Sequence, residues 1–377
     1  MNSAVKYLFL LLSSVLLVDA GGVFGNAYAM AEECVTFYTT YGYRQGDAWV
    51  VPMRAWVHER RGVAEKLITK VAAGMGKLDP NKLANFRNRI QDFVADSESR
   101  EVLVFAFDHD PEQQAFQVAN PDGSFPKTDL NGLVQGVITI PDAKARELLA
   151  RQGSQNGWLT YRATSQGHAG TGRVRLIEAQ GLSVISDIDD TIKLTQIPSG
   201  AKVVIRNTFF RDFRAVPGMA GMYQAWPGAA FHYISGSPWQ LYEPLSRFLF
   251  SPATGFPEGS VHMKNARKNL LNPDTWEDLG ALITNENLTY EQKLSQIGEI
   301  MGRFPDRRFI LIGDSGEKDP EVYREIRRRF PGQVREIMIR DCTDALANDP
   351  ARLEGMTIIP ASAADMPGDG LEERQAP

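Results

Sequence analysis

Cysteine and histidine are scarce in this sequence, which has two cysteines and five histidines among 377 residues. Neither Cys34 nor Cys342 stands in the spacing of a zinc or redox motif, and the histidines show no metal-ligand spacing. The chain also contains no Gly-x-Ser-x-Gly segment. These absences disfavour a zinc enzyme and a serine hydrolase. The two cysteines allow either a disulfide in an oxidising compartment or two separate buried thiols.

An excess of positive charge is also missing. The formal net charge is -5 and the isoelectric point is about 5.7. Because nucleic-acid-binding proteins are usually basic, no nucleic-acid partner is predicted. The acidic balance argues against strong attachment to anionic membranes, but local patches still allow peripheral membrane contact.

Long apolar runs are missing except near the start of the chain. Lys6 precedes an apolar run over residues 7–18, and small residues follow, including Ala27 and Ala29. This run is shorter than the ~20 residues that a membrane-spanning helix needs. Residues 1–29 are therefore predicted to be a secretory signal peptide, and the protein is expected to be exported to the periplasm or secreted. An uncleaved signal would instead anchor it in the membrane.

The remainder of the chain falls into two parts of different character. Residues 35–180 contain strand-like segments separated by turns, and they predict a β-rich, sandwich-like domain. Apolar residues at helical spacing over 63–75 and 83–94 predict a helical insert in it. Residues 181–364 alternate short Val- and Ile-rich runs with helical segments, which predicts an α/β domain with a central parallel sheet. The polar tail 365–377 is predicted to be disordered.

Polar residues end several of the predicted parallel strands. Asp187 ends the run "LSVISD", Ser235 ends "FHYIS" and Asp314 ends "RFILIGD". Ligands of such sheets bind at the carboxyl ends of the strands, at the point where the strand order reverses. The three side chains are therefore predicted to converge on one site.

The segment "DIDDT" at 187–191 places three carboxylates within four positions directly after an apolar strand. A calcium loop of the EF-hand type would need Gly at its sixth and Glu at its twelfth position, where Ile192 and Pro198 stand. A helix cap would explain one carboxylate but not three. A hard cation such as Mg²⁺ binds carboxylates together with phosphate oxygens, so the segment indicates a metal or phosphate site.

A second acidic cluster lies in "GDSGEKDP" at 313–320. Asp314 directly follows an apolar strand and Gly313, a placement typical of a functional site. Asp319 precedes Pro320, which is the pattern of a helix N-cap, and a capping residue can still face a metal.

The strand end "YISGSPW" offers a phosphate-binding group. The Ser235 hydroxyl and the backbone amide of Gly236 can bind a phosphate oxygen. The alternative is a plain turn, with Ser237 capping a helix that begins at Pro238.

Lys293 is a candidate anion-binding residue further along the chain. Thr289 and Gln292 stand in capping-box spacing, which would place Lys293 in the first turn of a helix. A positive charge there opposes the helix dipole, so an anion can be its partner. The alternative is a solvated surface lysine.

The order Asp-x-Asp, Ser, Lys and Gly-Asp-x4-Asp resembles that of the haloacid dehalogenase (HAD) superfamily of phosphotransferases. More specifically, residues 180–345 resemble the catalytic domain of the actin-patch phosphatidate phosphatase family. The resemblance implies a HAD-like Rossmannoid fold around the parallel sheet, and phosphatase activity. It is carried by "SVISDIDDTIK", "YISGSPWQLYEPLSRFL", "GFPEGSVHMK" and "FPDRRFILIGDSGEKDPEVYREIRRRFP".

The resemblance also implies roles for individual residues. Asp187 would be the nucleophile that forms an aspartyl-phosphate. Asp189, with a raised pKa, would protonate the leaving oxygen and then activate water. Ser235, Gly236 and Lys293 would bind the phosphoryl group, and Mg²⁺ would be the cofactor. The implied metal ligands are Asp187, the backbone carbonyl of Asp189, Asp314 and Asp319, the last acting through water or by orienting Lys293.

The implied substrate is a phosphorylated lipid, phosphatidate, which would be hydrolysed to diacylglycerol and phosphate. A soluble phosphomonoester is the nearest alternative. A binding module beside an idle phosphatase-like domain is disfavoured, because the set of candidate catalytic residues is complete. Residues 190–217 are predicted to form two extended pieces around a turn, either a flap over the site or a solvated hairpin. The segment carries the basic residues Lys193, Arg206, Arg211 and Arg214.

Overall fold

A computed structural model describes residues 33–60, 79–264 and 286–361 of the chain. The predicted signal peptide, the first helix of the insert and the polar tail lie outside these residues and stay predictions. All described residues belong to one contact unit, Glu33–Pro377. Among them, no helix is both long and apolar enough to cross a membrane.

The first part of the chain forms a mixed sheet of nine strands. The order is β5-β7-β9-β2-β3-β1-β8, and β4 and β6 also pair with β3. β2 and β3 form a hairpin over "YGYRQGDAWVV", with its turn at Gly46 and Asp47. The strands are β1 Glu33–Phe37, β2 Thr40–Gln45, β3 Ala48–Glu59, β4 Asp96–Ser97, β5 Phe105–Phe107, β6 Leu133–Pro141, β7 Trp158–Ala163, β8 His168–Ala169 and β9 Thr171–Leu176.

The nine-stranded sheet curves around its own core. Phe37 of β1 lies 5.8 Å from Phe105 of β5 and 5.0 Å from Tyr161 of β7, measured between ring centroids. Strands from distant positions in the hydrogen-bonded order therefore share one apolar cluster. The predicted β-rich architecture is confirmed as one mixed sheet of nine strands around this cluster.

The second part of the chain forms an all-parallel sheet of six strands in the order β12-β11-β10-β13-β14-β15. The chain runs from β10 outward to β12 on one side and from β13 to β15 on the other. The strand order thus reverses between β10 and β13, and a crevice opens there at the carboxyl ends. The strands are β10 Gly181–Asp187, β11 Ala230–Pro238, β12 Gly259–Lys264, β13 Arg307–Asp314, β14 Val334–Asp341 and β15 Thr357–Pro360.

Helices flank both sheets, and their apolar residues face the cores. In the insert, Asp79 caps α1 by accepting a hydrogen bond from the Lys82 amide at 2.9 Å, and Phe86, Ile90 and Phe93 form its buried face. The helices are α1 Pro80–Val94, α2 Asp142–Arg151, α3 Ala201–Ile205, α4 Met219–Gln224, α5 Tyr242–Leu249, α6 Glu286–Arg303, α7 Asp319–Arg329 and α8 Ala345–Asn348. Single turns of 3-10 helix lie at Ile197–Ser199, Trp239–Leu241 and Pro350–Leu353, and a π-helical turn spans Arg206–Phe210.

Direct polar contacts join the two parts of the chain. The hydroxyl of Tyr242 accepts a hydrogen bond from the Thr39 amide at 2.9 Å and lies 2.7 Å from the Thr39 hydroxyl. Arg173 of β9 forms two hydrogen bonds with Glu258 at 2.6 and 2.8 Å. These contacts tie both parts into one unit, and the predicted division into domains at residue 180 stays a prediction.

Arg307 fixes the connection between the two sheets. Its guanidinium, at the start of β13, donates to the carbonyl oxygens of Glu178 at 2.8 Å and Gln180 at 2.6 Å, and also to that of Leu182. Its Nε donates to the Ser183 hydroxyl at 2.8 Å. The chain therefore enters β10 held against the neighbouring strand at consecutive points.

The conformation of residues 192–216, called the 192–216 segment below, differs from the predicted pair of extended pieces. Only the ends pair: the Leu194 amide donates to the Arg214 carbonyl and the Val216 amide to the Ile192 carbonyl, both at 2.9 Å. Between them the chain forms a 3-10 turn, α3 and the π-helical turn. Apolar residues of this segment join the main core, which a solvated hairpin would not do: Ile197, Val204, Ile205, Phe209 and Phe210.

The disulfide that export would allow is absent. Cys342 is a free thiol, 3% exposed, and lies 3.5 Å from Asp314 Oδ1. Burial raises its pKa well above the usual range, and the nearby Asp314 carboxylate adds to the effect. The alternative of a small buried thiol is therefore the one observed at Cys342.

We predict that Tyr242→Phe destabilises the chain by about 1–3 kcal/mol, because the buried Thr39 amide loses its acceptor. Urea unfolding followed by circular dichroism measures the change. Tyr43→Phe is the matched control, since Tyr43 is a half-buried tyrosine of β2, the strand that begins directly after Thr39. Equal losses in the two variants would contradict the role given to the Tyr242 hydroxyl.

Candidate active site

Two neighbouring strands place acidic side chains side by side. Asp187 ends β10 and Asp314 ends β13, and these strands pair in register from Gly181 opposite Arg307 to Ser186 opposite Ile312. Both carboxylates are buried, with 1% and 0% of the residue exposed. The predicted convergence of strand-end aspartates at the crevice is present.

Lys293 of α6 lies among these carboxylates. Its ammonium nitrogen is 2.8 Å from Asp187 Oδ1, 2.5 Å from Asp319 Oδ1 and 3.2 Å from Glu317 Oε2. The helix already includes Glu286, so Lys293 lies two turns inside it rather than in the first turn that the capping-box pattern predicted. The lysine faces anions, as expected, but these are the protein's own carboxylates.

Asp319 belongs to the same cluster. The predicted N-cap role is wrong, because α7 begins at Asp319 and Lys318 takes the cap position without a side-chain cap bond. One Asp319 oxygen accepts the Asp314 amide at 3.2 Å and the other accepts Lys293. A Cβ at Gly313 would lie 2.4 Å from Asp319 Oδ2, so glycine is required for this approach.

The acidic cluster fits a divalent cation. Oxygens of Asp187, Asp314 and Asp319 all lie within 4.8 Å of one another, and all three residues are buried. Among the described residues, no group donates a hydrogen bond to Oδ2 of Asp187 or to Oδ2 of Asp314. Oδ1 of Asp187 is met only by the Lys293 ammonium, in an ion pair. Buried carboxylate oxygens without donors are unusual. Three buried oxygen ligands at one point suit a hard cation, and the cluster itself does not identify the ion.

The same crowding acts on the pKa values. Burial raises the pKa of Asp187 well above its usual value, and Lys293 opposes this. The pKa of Asp314 is also raised well above the usual range by burial and then by Asp319 and Glu317. Burial raises the pKa of Glu317 to about 7. Burial alone would lower the pKa of Lys293, but Asp187, Asp319 and Glu317 raise it well above the usual value, so the ammonium stays charged.

Asp189 has a different environment. Its Oδ1 lies 2.8 Å from Lys193 Nζ and accepts the Thr195 hydroxyl at 2.7 Å. Its Oδ2 accepts the Ser235 and Ser237 hydroxyls at 3.1 and 3.2 Å. Burial would raise its pKa, but Lys193 and these donors lower it below the usual value. The predicted raised pKa of Asp189 is therefore wrong in this structure, because the expectation considered only the neighbouring carboxylates.

Asp190 shapes the loop that follows β10. It adopts a positive φ of 55°, and its carboxylate accepts the amides of Thr195, Gln196 and Ile197 at 2.8, 2.6 and 2.6 Å. Arg340 donates to its carbonyl oxygen at 2.7 Å. Asp190 thus stabilises the turn, and both of its carboxylate oxygens accept hydrogen bonds from backbone amides.

The strand end at β11 contributes the predicted serine. Ser235 is fully buried, and its hydroxyl donates to Asp189 and accepts the Ser237 amide at 3.0 Å. Gly236 follows within β11, where a Cβ would lie 2.9 Å from Thr289 of α6. Ser237 does not cap a helix, since its hydroxyl points to Asp189. The phosphate-binding roles of Ser235 and Gly236 stay predictions.

The structure adds residues that the sequence did not single out. Glu317 contacts Lys293, and Thr195 contacts Asp189. Lys264, at the end of β12, is 5% exposed and donates to the Thr289 hydroxyl at 3.3 Å. Glu317 had a visible signal, because it lies between Asp314 and Asp319 in the same loop. Lys264 ends a parallel strand, which is also where ligand-binding residues are found.

Comparison with known proteins agrees with this placement. Residues 182–341 match the family described as "Phosphatidate phosphatase APP1, catalytic domain". The match covers β10 to β14 and includes all the acidic residues of the cluster. The match supports the predicted resemblance of this segment to a phosphatase catalytic domain.

Two fungal proteins are similar to the chain. "Phosphatidate phosphatase APP1" of Saccharomyces cerevisiae is 30% identical over 205 residues, 52% of this chain and 32% of that protein. An uncharacterized protein of Schizosaccharomyces pombe is 29% identical over 174 residues, 45% of this chain and 26% of that protein. The chain thus spans a third or less of the length of these relatives. A solved carbohydrate esterase overlaps 81% of this chain and 87% of its own at 10% identity, but a TM-score of 0.20 carries no argument.

We predict that Asp314→Asn raises the melting temperature of the metal-free protein by roughly 2–4 °C. Burial, Asp319 and Glu317 make ionisation of Asp314 unfavourable, and the neutral amide avoids this cost while its Oδ1 still accepts the Gly316 and Glu317 amides. The same variant should lose the stabilisation that Mg²⁺ gives the wild type. Differential scanning fluorimetry with Mg²⁺ and with EDTA measures both effects. Asp108→Asn, at the end of β5, is the control and should respond to Mg²⁺ as the wild type does. A variant at Asp314 that still responds to Mg²⁺ would contradict the ligand assignment.

Proposed function

We propose that the chain is a Mg²⁺-dependent phosphatase that hydrolyses phosphatidate to diacylglycerol and phosphate. The observation that carries the proposal is the cluster of Asp187, Asp314 and Asp319 with Lys293 at the carboxyl edge of the parallel sheet. The substrate class rests on the similarity of residues 182–341 to the phosphatidate phosphatase family. The assignment of the mechanism to the haloacid dehalogenase type belongs to the same proposal.

Asp187 is the proposed nucleophile. One of its oxygens attacks phosphorus, the bond from phosphorus to the leaving oxygen breaks, and an aspartyl-phosphate forms. Water then attacks phosphorus, and Asp187 leaves as the carboxylate. Burial raises the pKa of Asp187 and so disfavours the carboxylate, which is the nucleophilic form. A divalent ion at the cluster supplies the positive charge that favours the carboxylate and screens it from the anionic phosphate.

Asp189 is the proposed acid and base. It gives a proton to the leaving oxygen of the substrate, and as a carboxylate it later takes a proton from the attacking water. Its lowered pKa here depends in part on the Ser235 hydroxyl. When Ser235 turns to a phosphoryl oxygen, Asp189 loses that donor, and its protonated form becomes easier to reach. Binding of the substrate would thus favour the protonated form of Asp189, which is the form that acts as general acid.

Lys293 and Ser235 are the proposed clamps of the phosphoryl oxygens. The transition state of phosphoryl transfer carries charge on its equatorial oxygens, and fixed positive or donor groups stabilise it. Lys293 keeps its charge while buried, because three carboxylates surround it. The backbone amide of Gly236, at the same strand end as Ser235, is proposed to bind a phosphoryl oxygen as well.

Phosphate release from short-chain phosphatidate in mixed micelles tests the proposal, with glycerol 3-phosphate as the matched substrate without acyl chains. We expect activity with Mg²⁺ and none with EDTA. The kcat/KM for phosphatidate should be at least about tenfold higher than that for glycerol 3-phosphate. Equal values for both substrates would favour the soluble phosphomonoester alternative. No turnover of either substrate with Mg²⁺ would contradict the proposed function.

We predict that Asp187→Asn lowers kcat by about 10⁴-fold or more, because the amide is neither a nucleophile nor an anion. The measurement is the same phosphate-release assay at saturating substrate. Asp108→Asn provides the control, as it changes a strand-end aspartate of the β-rich sheet and should keep wild-type activity. Near-normal turnover by the Asp187 variant would overturn the mechanism.

A further inference from the structure

The helix of the insert contacts the loop that follows the catalytic strand. Phe86 of α1 stacks on Phe210 of the 192–216 segment, with ring centroids 5.1 Å apart. The Asn85 side-chain amide donates to Asp212 Oδ1 at 2.9 Å. The β-rich part of the chain therefore reaches the active-site side of the parallel sheet.

Arg89 is the buried centre of this contact. Its Nη1 donates to the carbonyl oxygens of Thr208 at 2.8 Å and Arg211 at 2.5 Å. These carbonyls lie at the end of the π-helical turn, where backbone acceptors lack helical partners. The guanidinium carbon also lies 3.9 Å from the centroid of the Phe213 ring. Arg89 thus fixes both the backbone and one aromatic side chain of the segment.

The Phe213 ring also meets Lys193. The Lys193 ammonium lies 5.0 Å from the ring centroid, within the range of a cation–π contact. The same ammonium is 2.8 Å from Asp189 Oδ1. A continuous row of contacts therefore runs from Arg89 through Phe213 and Lys193 to Asp189.

We propose that Arg89 is a positioning residue for the active site, and that it holds Asp189 in place through Phe213 and Lys193. A lysine side chain has many rotamers, and the ring restricts Lys193 to those that reach Asp189. Asn207, in the π-helical turn that Arg89 binds, donates to the Thr195 carbonyl at 2.9 Å and holds the other partner of Asp189. A residue of the β-rich part thereby fixes the side chains that hold Asp189 at the edge of the parallel sheet.

Hydrogen exchange of the intact chain tests the positional claim without any substrate. In Arg89→Met, peptides over the 192–216 segment should exchange at least about tenfold faster, including the Thr195 and Ile197 amides that Asp190 accepts. Arg175→Met is the matched control: Arg175 of β9 is half-buried and donates to the Ala229 carbonyl at 2.8 Å, at the opposite end of β11. In that control the segment should exchange as in the wild type. Unchanged exchange in Arg89→Met would overturn the proposal.

The effect on turnover rests on the proposed function. Arg89→Met should lower kcat about 10- to 100-fold with KM changed less than about twofold, because Asp189 is displaced while phosphate binding at Lys293 is kept. If Arg89 acts through Lys193, the double variant Arg89→Met, Lys193→Met should match Lys193→Met within about twofold. Multiplied losses in the double variant would show that the row of contacts does not carry the effect.

Two further comparisons cover the remaining outcomes. If Arg89→Met does not fold, Phe213→Leu and Phe213→Tyr replace it: only the leucine variant should speed exchange and lower kcat, since the tyrosine keeps the ring. Equal behaviour of these two variants would contradict the role of the ring. If the wild type hydrolyses no phosphomonoester, the proposed function fails, and the exchange data alone decide whether Arg89 orders the segment.

Discussion

The ion pairing of one buried ammonium group determines the arrangement of the site. Lys293 lies within 3.2 Å of oxygens from Asp187, Glu317 and Asp319, which come from β10, the loop after β13 and α7. Removing one partner of a buried ion pair costs about 3–5 kcal/mol, because the other charge is left uncompensated. Lys293 thus joins three segments. One positive charge does not neutralise three carboxylates. The folded chain therefore keeps a deficit of positive charge here, which a bound cation would relieve.

The parallel sheet explains why the deficit arises at this point. β10 and β13 are neighbours in space, although more than a hundred residues separate them, and the strand order reverses between them. Their carboxyl ends therefore bring Asp187 and Asp314 together regardless of loop conformation. Asp189 is held separately by Lys193, Thr195 and the serines of β11. The site thus has an acidic side and a hydrogen-bonded side, and a phosphoryl group between them would meet both.

Much of this arrangement could be predicted from the sequence. Strand-end aspartates and the alternation of apolar runs with helices sufficed for the parallel sheet and for the meeting of Asp187 with Asp314. The pKa of Asp189 could not be predicted, because its donors come from two other parts of the chain. The start of α6 was misplaced, because capping-box spacing at Thr289 also occurs inside a helix. The 192–216 segment was expected to be extended, and its helical turns depend on packing against α1, a contact between distant residues that local patterns do not record.

The contacts of Arg307 oppose a rotation of the two sheets against each other. The guanidinium binds the carbonyl oxygens of Glu178 and Gln180, which precede β10, and it belongs to the strand that carries Asp314. A hinge rotation at this junction would strain these two bonds, and it would also have to break the Arg173–Glu258 pair. The connection that leads into the strand of Asp187 is therefore stiffened at the amino ends of β10 and β13, the end of the sheet away from the acidic cluster.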